Sequence, residues 1–442
     1  MTLLAGAATV DITPPPGGQM DGYGSRTQPS TGVHDPLFAR ILVLDDGASP
    51  CAIVGCDLLG MHPRITAEVR DRVANATGVD PNAVLIAATH SHAGPYGLRG
   101  GMFSRLDEPL ADEIAEKVAR AIISTYETRR PALLKLGQAH IDTVSMNRRH
   151  PDWPSDPTLR VLLIDGVDAP PIATLLNFAC HATVMHGGNL QLSAEFPGAA
   201  CRLVEAQTGA PAVYLNGACG NVNPVWIKQD FDSVERVGQI IGGQALRTVG
   251  ELRTLGIGQR AHNIRWDEFL VKAVPGRIAE PALRAVRQEI ELPLRRFDDD
   301  ASYAEKVASL ENKVSSTNEG TTDRRDVMAR LTRTQTERWA ALWARQQDNS
   351  STLRTEVQAL RLGEGLAVVA LPGEFFVETA TSIRDASGID DLIVACYAND
   401  YVGYVIPEDA YAAGGYESGV TFCSENAERM IADAAISLLA SL

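Results

Sequence analysis

Val84-Leu85-Ile86-Ala87-Ala88-Thr89-His90-Ser91-His92-Ala93-Gly94-Pro95 is an apolar run that feeds a His-x-His and then breaks at Gly-Pro. Five apolar residues without polar alternation, closed by chain breakers, predict a strand buried on both faces. Side chains along a strand alternate with period 2, so this reading sends His90 and His92 the same way, at the end where the chain leaves the sheet. Two imidazoles converging there suit a metal site, or one ligand beside an acid/base partner. The plain alternative is a pair of unrelated surface histidines, in a chain that has nine.

Working outward, similar short apolar runs recur and alternate with helical patterns, which predicts an α/β fold. Strands are expected at Phe38–Leu44, Cys51–Cys56, Leu133–Leu136, Leu159–Ile164, Ile172–Phe178, Val213–Leu215, Glu289–Leu294, Val357–Leu362, Leu366–Leu371 and Leu392–Cys396. Helices are expected at Ile65–Ala76, Ala199–Gln207, Ser233–Leu252 and Glu425–Leu439. The clearest helix runs from an Asp107 N-cap, with Pro109 in its first turn, to about Tyr126. Its Leu110, Ile114, Val118 and Ile122 make an i, i+4 stripe that packs on a sheet. From Arg296 to about Ser351 the chain turns highly charged and poor in β-branched apolar residues, with Trp339 and Trp343 one helical turn apart. This predicts a helical insertion between strands, either a solvated excursion or a lid.

The whole chain has 442 residues, of which 45% are apolar and 21% charged, as in a globular protein with a sizeable core. Forty Lys plus Arg against 55 Asp plus Glu give a net charge of −15, which argues against nucleic acid or an anionic membrane surface as partner. No window reaches the ~18 consecutive apolar residues of a membrane-spanning helix, so no integral membrane association is expected. The N-terminus lacks the basic start of a secretory signal. Seven sparse cysteines, most inside apolar runs, read as buried thiols of a reducing compartment. The expected location is cytoplasmic.

Four further segments could carry chemistry. Leu175-Leu176-Asn177-Phe178-Ala179-Cys180-His181 repeats the pattern of a buried strand ending at a histidine; alone, His181 reads as a hydrogen-bonded core residue, and beside the first feature a shared metal is the better reading. Val213-Tyr214-Leu215-Asn216-Gly217-Ala218-Cys219-Gly220-Asn221-Val222-Asn223-Pro224 feeds a glycine loop whose N–H groups could face a ligand oxyanion, with Cys219 as an apolar filler rather than a nucleophile. Leu371-Pro372-Gly373-Glu374 puts a carboxylate behind a strand, as a ligand or as a cap for the next helix. Cys396-Tyr397-Ala398-Asn399-Asp400-Tyr401-Val402-Gly403-Tyr404 carries three tyrosines, which read as packing on their own.

Taken in order, these five segments, together with Asp11-Ile12-Thr13-Pro14, Gly22-Tyr23, Gly32-Val33-His34-Asp35-Pro36-Leu37-Phe38-Ala39-Arg40 and Tyr416-Glu417, resemble the catalytic domain of the neutral/alkaline, non-lysosomal ceramidase family. The resemblance implies mixed β-sheets forming a central core flanked by helices. It implies one hydrolase domain over residues 1–442, with a helical excursion at about 296–351; the C-terminal immunoglobulin-like domain of secreted members is a departure, expected to be lacking here. It also implies zinc (Zn2+) held by His90, His181, Glu374 and Tyr404, with His92 contacting the reacting amide and Arg148 holding the substrate. The family's glycine loop commonly ends in Gly-Asp-x-Ser-Pro, where the serine has been assigned a catalytic role. Here Gly220-Asn221-Val222-Asn223-Pro224 leaves Asn223 able only to hydrogen-bond.

The expectation is therefore a zinc-dependent amidohydrolase that cleaves the N-acyl bond of a small-molecule substrate with metal-activated water, with His92, Arg148 and Asn223 as catalytic residues. Its rivals are a zinc esterase or lactonase on the same site, an amidohydrolase barrel, and a metal-binding relative without turnover. Trp226, Trp339 and Trp343 could serve a pocket or an interface equally well, which leaves a homo-oligomer open.

Overall fold

A computed structural model describes residues 2–99, 105–254, 260–265, 268–272, 276–318, 322–346 and 351–442. Every strand and helix expected from the sequence is present, most of them a few residues longer than the apolar runs that announce them. Val84–Ala88 and Cys51–Cys56 are buried at every position and pair in parallel, as unbroken apolar runs should. The helix Glu108–Glu127 starts where expected, with the Asp107 carboxylate accepting the Leu110 N–H at 3.2 Å.

The larger sheet runs in the order Ala212–Asn216, Ala173–Phe178, Thr158–Gly166, Arg130–His140, Leu4–Asp11, Phe38–Asp45, Cys51–Cys56 and Val84–Ala88, with Arg277–Ala279 added on Arg130–His140. A four-stranded sheet follows the order Pro281–Pro293, Thr352–Gly363, Leu366–Ala370 and Asp391–Ala395. Both are mixed. Three neighbouring pairs are parallel, and each is joined through a helix: Cys51–Cys56 to Val84–Ala88 through Pro63–Thr77, Ala173–Phe178 to Ala212–Asn216 through Glu195–Thr208, and Leu366–Ala370 to Asp391–Ala395 through Val377–Ser387. Parallel neighbours require such a crossover, and ligands gather outside the carboxyl ends of their strands.

The two sheets are joined through residues 396–399. Beyond Asp391–Ala395, the Cys396 N–H donates to the Asn216 carbonyl at 2.9 Å, the Tyr397 carbonyl accepts from Ala88 at 3.0 Å, and the Asn399 N–H donates to Ile86 at 2.7 Å. Residues 396–399 thus bond to both outer strands of the larger sheet, whose exposed backbone groups would otherwise be open to wrong pairing. Asn216 extends the closure. Its Oδ1 accepts the Cys180 N–H, and its Nδ2 donates to the carbonyls of Thr89 at 3.0 Å and Cys180 at 2.9 Å, which ties together the roots of His90 and His181.

The charged insertion is a hairpin of two helices, Asp300–Ser316 and Thr322–Gln346, between the paired strands Pro281–Pro293 and Thr352–Gly363. Trp339 is 44% exposed and meets Phe422 edge to face, while its neighbours Ala340 and Ala341 are buried. The Trp343 side chain lies outside the described residues.

Asn216→Ala leaves two buried carbonyls and one N–H without partners. It is expected to lower the unfolding free energy by about 3 kcal/mol, read as a shifted urea midpoint with an unchanged slope.

Candidate metal centre

Four strand ends deliver the site. His90 follows Val84–Ala88, His181 follows Ala173–Phe178, Glu374 follows Leu366–Ala370, and Tyr401 and Tyr404 follow Asp391–Ala395. The His-x-His reading holds in its result and fails in its geometry. The strand ends at Ala88, and His90 takes a left-handed conformation with φ 66°, so the pleat does not align the two rings. The segment is held instead by its neighbours: the Ser91 hydroxyl donates to the Ser193 carbonyl at 2.7 Å and the His92 N–H to the Ala182 carbonyl at 3.3 Å.

Each imidazole is oriented from behind. The Nδ1 atoms of His90, His92 and His181 lie 2.7, 2.9 and 2.6 Å from the carbonyl oxygens of Leu59, Gly22 and Cys219. A carbonyl only accepts, so each Nδ1 carries the proton and each Nε2 presents a lone pair. Burial pushes the basicity of His181 down to about 4 and that of His92 well below the usual histidine range, which keeps both rings neutral. Gly22, at φ 98°, makes the approach possible, since a Cβ there would lie 2.7 Å from His92.

The three lone pairs face one another, with the ligating nitrogens all within 4.8 Å. The Nε2 atoms of His90 and His92 are 3.1 Å apart, and one Glu374 oxygen lies 3.1 Å from His181 Nε2 and 3.5 Å from His90 Nε2. Tyr404 stands directly opposite Glu374 in a short parallel pair, and its hydroxyl is 3.4 Å from His181 Nε2. A tetrahedral ion with bonds of about 2.05 Å spaces its donors about 3.3 Å apart, so separations of 3.1–3.5 Å fit a divalent cation. Without a positive centre these acceptors would repel one another in a dry interior.

His90, His181, Glu374 and Tyr404 therefore come together, and His92 stands beside them with its Nε2 3.1 Å from that of His90. Arg148 borders this group. Its guanidinium donates to the Tyr404 hydroxyl at 3.0 Å, to the Glu417 carboxylate at 2.8 Å and, at 3.4 Å, to the Asn223 side-chain oxygen Oδ1. The antiparallel pairing of Ser145–Asn147 with Val222–Pro224 brings Arg148 and Asn223 side by side. A cavity of about 530 Å³ opens here, lined by Arg148, Arg149, Trp153, Tyr416 and Glu417.

Two local expectations fail. The Gly217 and Gly220 N–H groups donate to the Phe178 and Phe375 carbonyls, at 3.1 and 2.7 Å, and so do not face a ligand. Glu374 does not cap the helix Val377–Ser387, because its oxygens turn to His181 and to the Tyr401 hydroxyl. Cys219 is the inert filler expected: buried, 3.1 Å from the Tyr397 hydroxyl, with burial pushing its thiol up to about 12. Sequence reasoning missed Tyr401, which donates to the Glu374 oxygen that the histidines leave free, and Glu417, which holds both Arg148 and Arg149. Tyr401 sits in a segment already singled out, three residues before Tyr404, yet nothing in its spacing separates it from a packing tyrosine.

The family model for neutral/alkaline non-lysosomal ceramidase, N-terminal, matches residues 3–222, the part that carries His90, His92, Arg148 and His181. A neutral ceramidase of Pseudomonas aeruginosa is 23% identical over 91% of this chain and 66% of its own length. Those of Mycobacterium tuberculosis and Dictyostelium discoideum (neutral ceramidase B) are 28% and 25% identical over 45% and 44% of the chain. The chain spans less than two thirds of the length of these relatives. A crystal structure of the Pseudomonas aeruginosa neutral ceramidase superposes on all of this chain and 74% of its own, with a TM-score of 0.76 at 20% identity, which establishes the shared fold. The chain belongs to the neutral/alkaline non-lysosomal ceramidase family.

Proposed function

We propose that this chain is a zinc-dependent hydrolase that cleaves the N-acyl (amide) bond of a small-molecule substrate with metal-activated water. One observation carries the proposal: three imidazoles, each anchored through Nδ1 to a backbone carbonyl, face one another beside a buried carboxylate. The relatives named as neutral ceramidases support the amide as the bond attacked. Bound at these donors, zinc would bring the pKa of a coordinated water to about 7 and polarise the acyl carbonyl.

The chain's own groups supply the rest. His90, His181, Glu374 and Tyr404 hold the cation. Arg148, fixed by Glu417, turns its guanidinium to the Tyr404 hydroxyl, where it would stabilise negative charge developing on the acyl oxygen. His92, with its Nδ1 proton on the Gly22 carbonyl, keeps Nε2 free to take a proton and pass it to the leaving amine. Asn223 offers its amide to the substrate while its oxygen accepts from Arg148. The cavity of about 530 Å³ beside Arg148 would seat the substrate, with Trp153 and Tyr416 giving it apolar surface. The same proposal places the chain in the cytoplasm, supported by seven buried cysteines, none of them in a disulfide.

His90→Ala and Glu374→Ala are each expected to lose bound zinc and to fall below about 1% of parental activity, measured by elemental analysis and turnover on the same preparations. Stoichiometric zinc in an inactive variant would contradict this, as would full turnover after chelation. On matched N-acyl and O-acyl compounds the amide is expected to be cleaved; an enzyme confined to the O-acyl series would instead be the esterase or lactonase. Tyr401→Phe removes the hydroxyl that steadies Glu374, and is expected to weaken zinc affinity about 10- to 100-fold with little change in melting temperature.

A further inference from the structure

The elements around the site are joined by a second layer of contacts. Asp21 precedes Gly22, whose carbonyl orients His92, and the Asp21 carboxylate accepts the Gly22 N–H at 2.9 Å, which fixes that turn. Its other oxygen lies 2.9 Å from Arg99 Nε. The Arg99 guanidinium lies over the Tyr401 ring, 5.8 Å from its centre. Tyr401 in turn donates to the Glu374 oxygen. Arg26 locks the turn from outside, donating to the Asp21 carbonyl at 2.6 Å and the His92 carbonyl at 3.1 Å.

These contacts close a ring: His92, Gly22, Asp21, Arg99, Tyr401, Glu374, His90 and back to His92. Asp21 is 3% exposed and Tyr401 4%. Gly60 leaves the room that Arg99 and Tyr401 occupy, since a Cβ there would lie 2.8 Å from the Tyr401 ring and 3.0 Å from the Arg99 Cβ. A buried ion pair is a poor source of stability, because desolvation offsets most of the attraction. Its position explains it better.

We infer that Asp21 and Arg99 are positioning residues for the metal site, one buried ion pair that sets His92 through Gly22 and Glu374 through Tyr401 at the same time. This rests on the metal-site reading, and it does not require that the substrate be an amide. Neither residue touches the reacting atoms. Together they make the orientation of a histidine on one side of the site depend on that of a carboxylate on the other.

The experiment is a double-mutant cycle on zinc affinity, measured by competition with a chromophoric chelator on the full chain. Arg99→Lys keeps the charge opposite Asp21 and loses the planar contact with Tyr401, and is expected to weaken zinc binding about 10-fold. Tyr401→Phe interrupts the same path one contact further on, so Arg99→Lys/Tyr401→Phe should be no weaker than the weaker single variant. Two fold-changes that multiply would overturn the inference, because they mean independent action. So would Arg99→Lys with parental affinity, or with a lowered melting temperature as its sole effect. Asp21→Asn is the complementary arm. Where it folds, it should weaken zinc binding and lower kcat more than it raises KM; where it does not, Asp21→Glu should recover binding to within a few-fold of the parent, and failure to do so counts against the ring. A parent chain that binds no zinc would refute the metal-site reading itself, an outcome separate from every result of the cycle.

Discussion

The carbonyl oxygens of Leu59, Gly22 and Cys219 decide the chemistry of this protein more than any single side chain does. By accepting the Nδ1 proton they fix the tautomer of three histidines and aim three lone pairs inward. A buried interior ordinarily disperses like partial charges, whereas this one concentrates them with a carboxylate added. Such a concentration persists because the surrounding backbone is held from several directions, so the donors cannot relax apart before a cation arrives.

That hold comes from the topology. Three helical crossovers direct the carboxyl ends of parallel strands to one region, and the segment 396–399 fastens the outer strands of the larger sheet around it. The local cost is visible in the backbone. His90, Tyr397 and Asn399 all adopt left-handed conformations, at φ 66°, 58° and 64°, where non-glycine residues are uncommon. Asn399 is secured in that state by Ile86, whose N–H it accepts, and by Gln358, to which it donates at 2.7 Å. Strain and closure thus occupy the same few residues.

Much of this is legible in the chain as written, and what escapes does so for physical reasons. Unbroken apolar runs such as Val84–Ala88 announce buried parallel strands with their ends nearly correct. Pro281–Pro293 is recognised only over its last third, because its first residues are half exposed and its polar positions follow no alternation. Leu4–Asp11 is passed over, as its alanines and glycine have little strand propensity and it is a strand by virtue of pairing with Phe38–Asp45. At the site, His90 and His181 stand out by sitting at strand ends. Glu374 and Tyr404 gain meaning through family likeness, since their meeting depends on a two-residue pairing that no local pattern encodes. Asn216, Tyr401 and Glu417 are invisible for a stronger reason: their partners lie 27 to 269 positions away, and the residue types are ordinary.

The fastening segment also bears on how the polypeptide is made. Translation releases the outer strands of the larger sheet, Val84–Ala88 and Ala212–Asn216, well before residues 396–399 leave the ribosome. For that interval a nascent chain carries two unprotected β edges and half of its donor set. Assembly of the centre is therefore a late event in biosynthesis, complete when residues 396–399 dock between the outer strands.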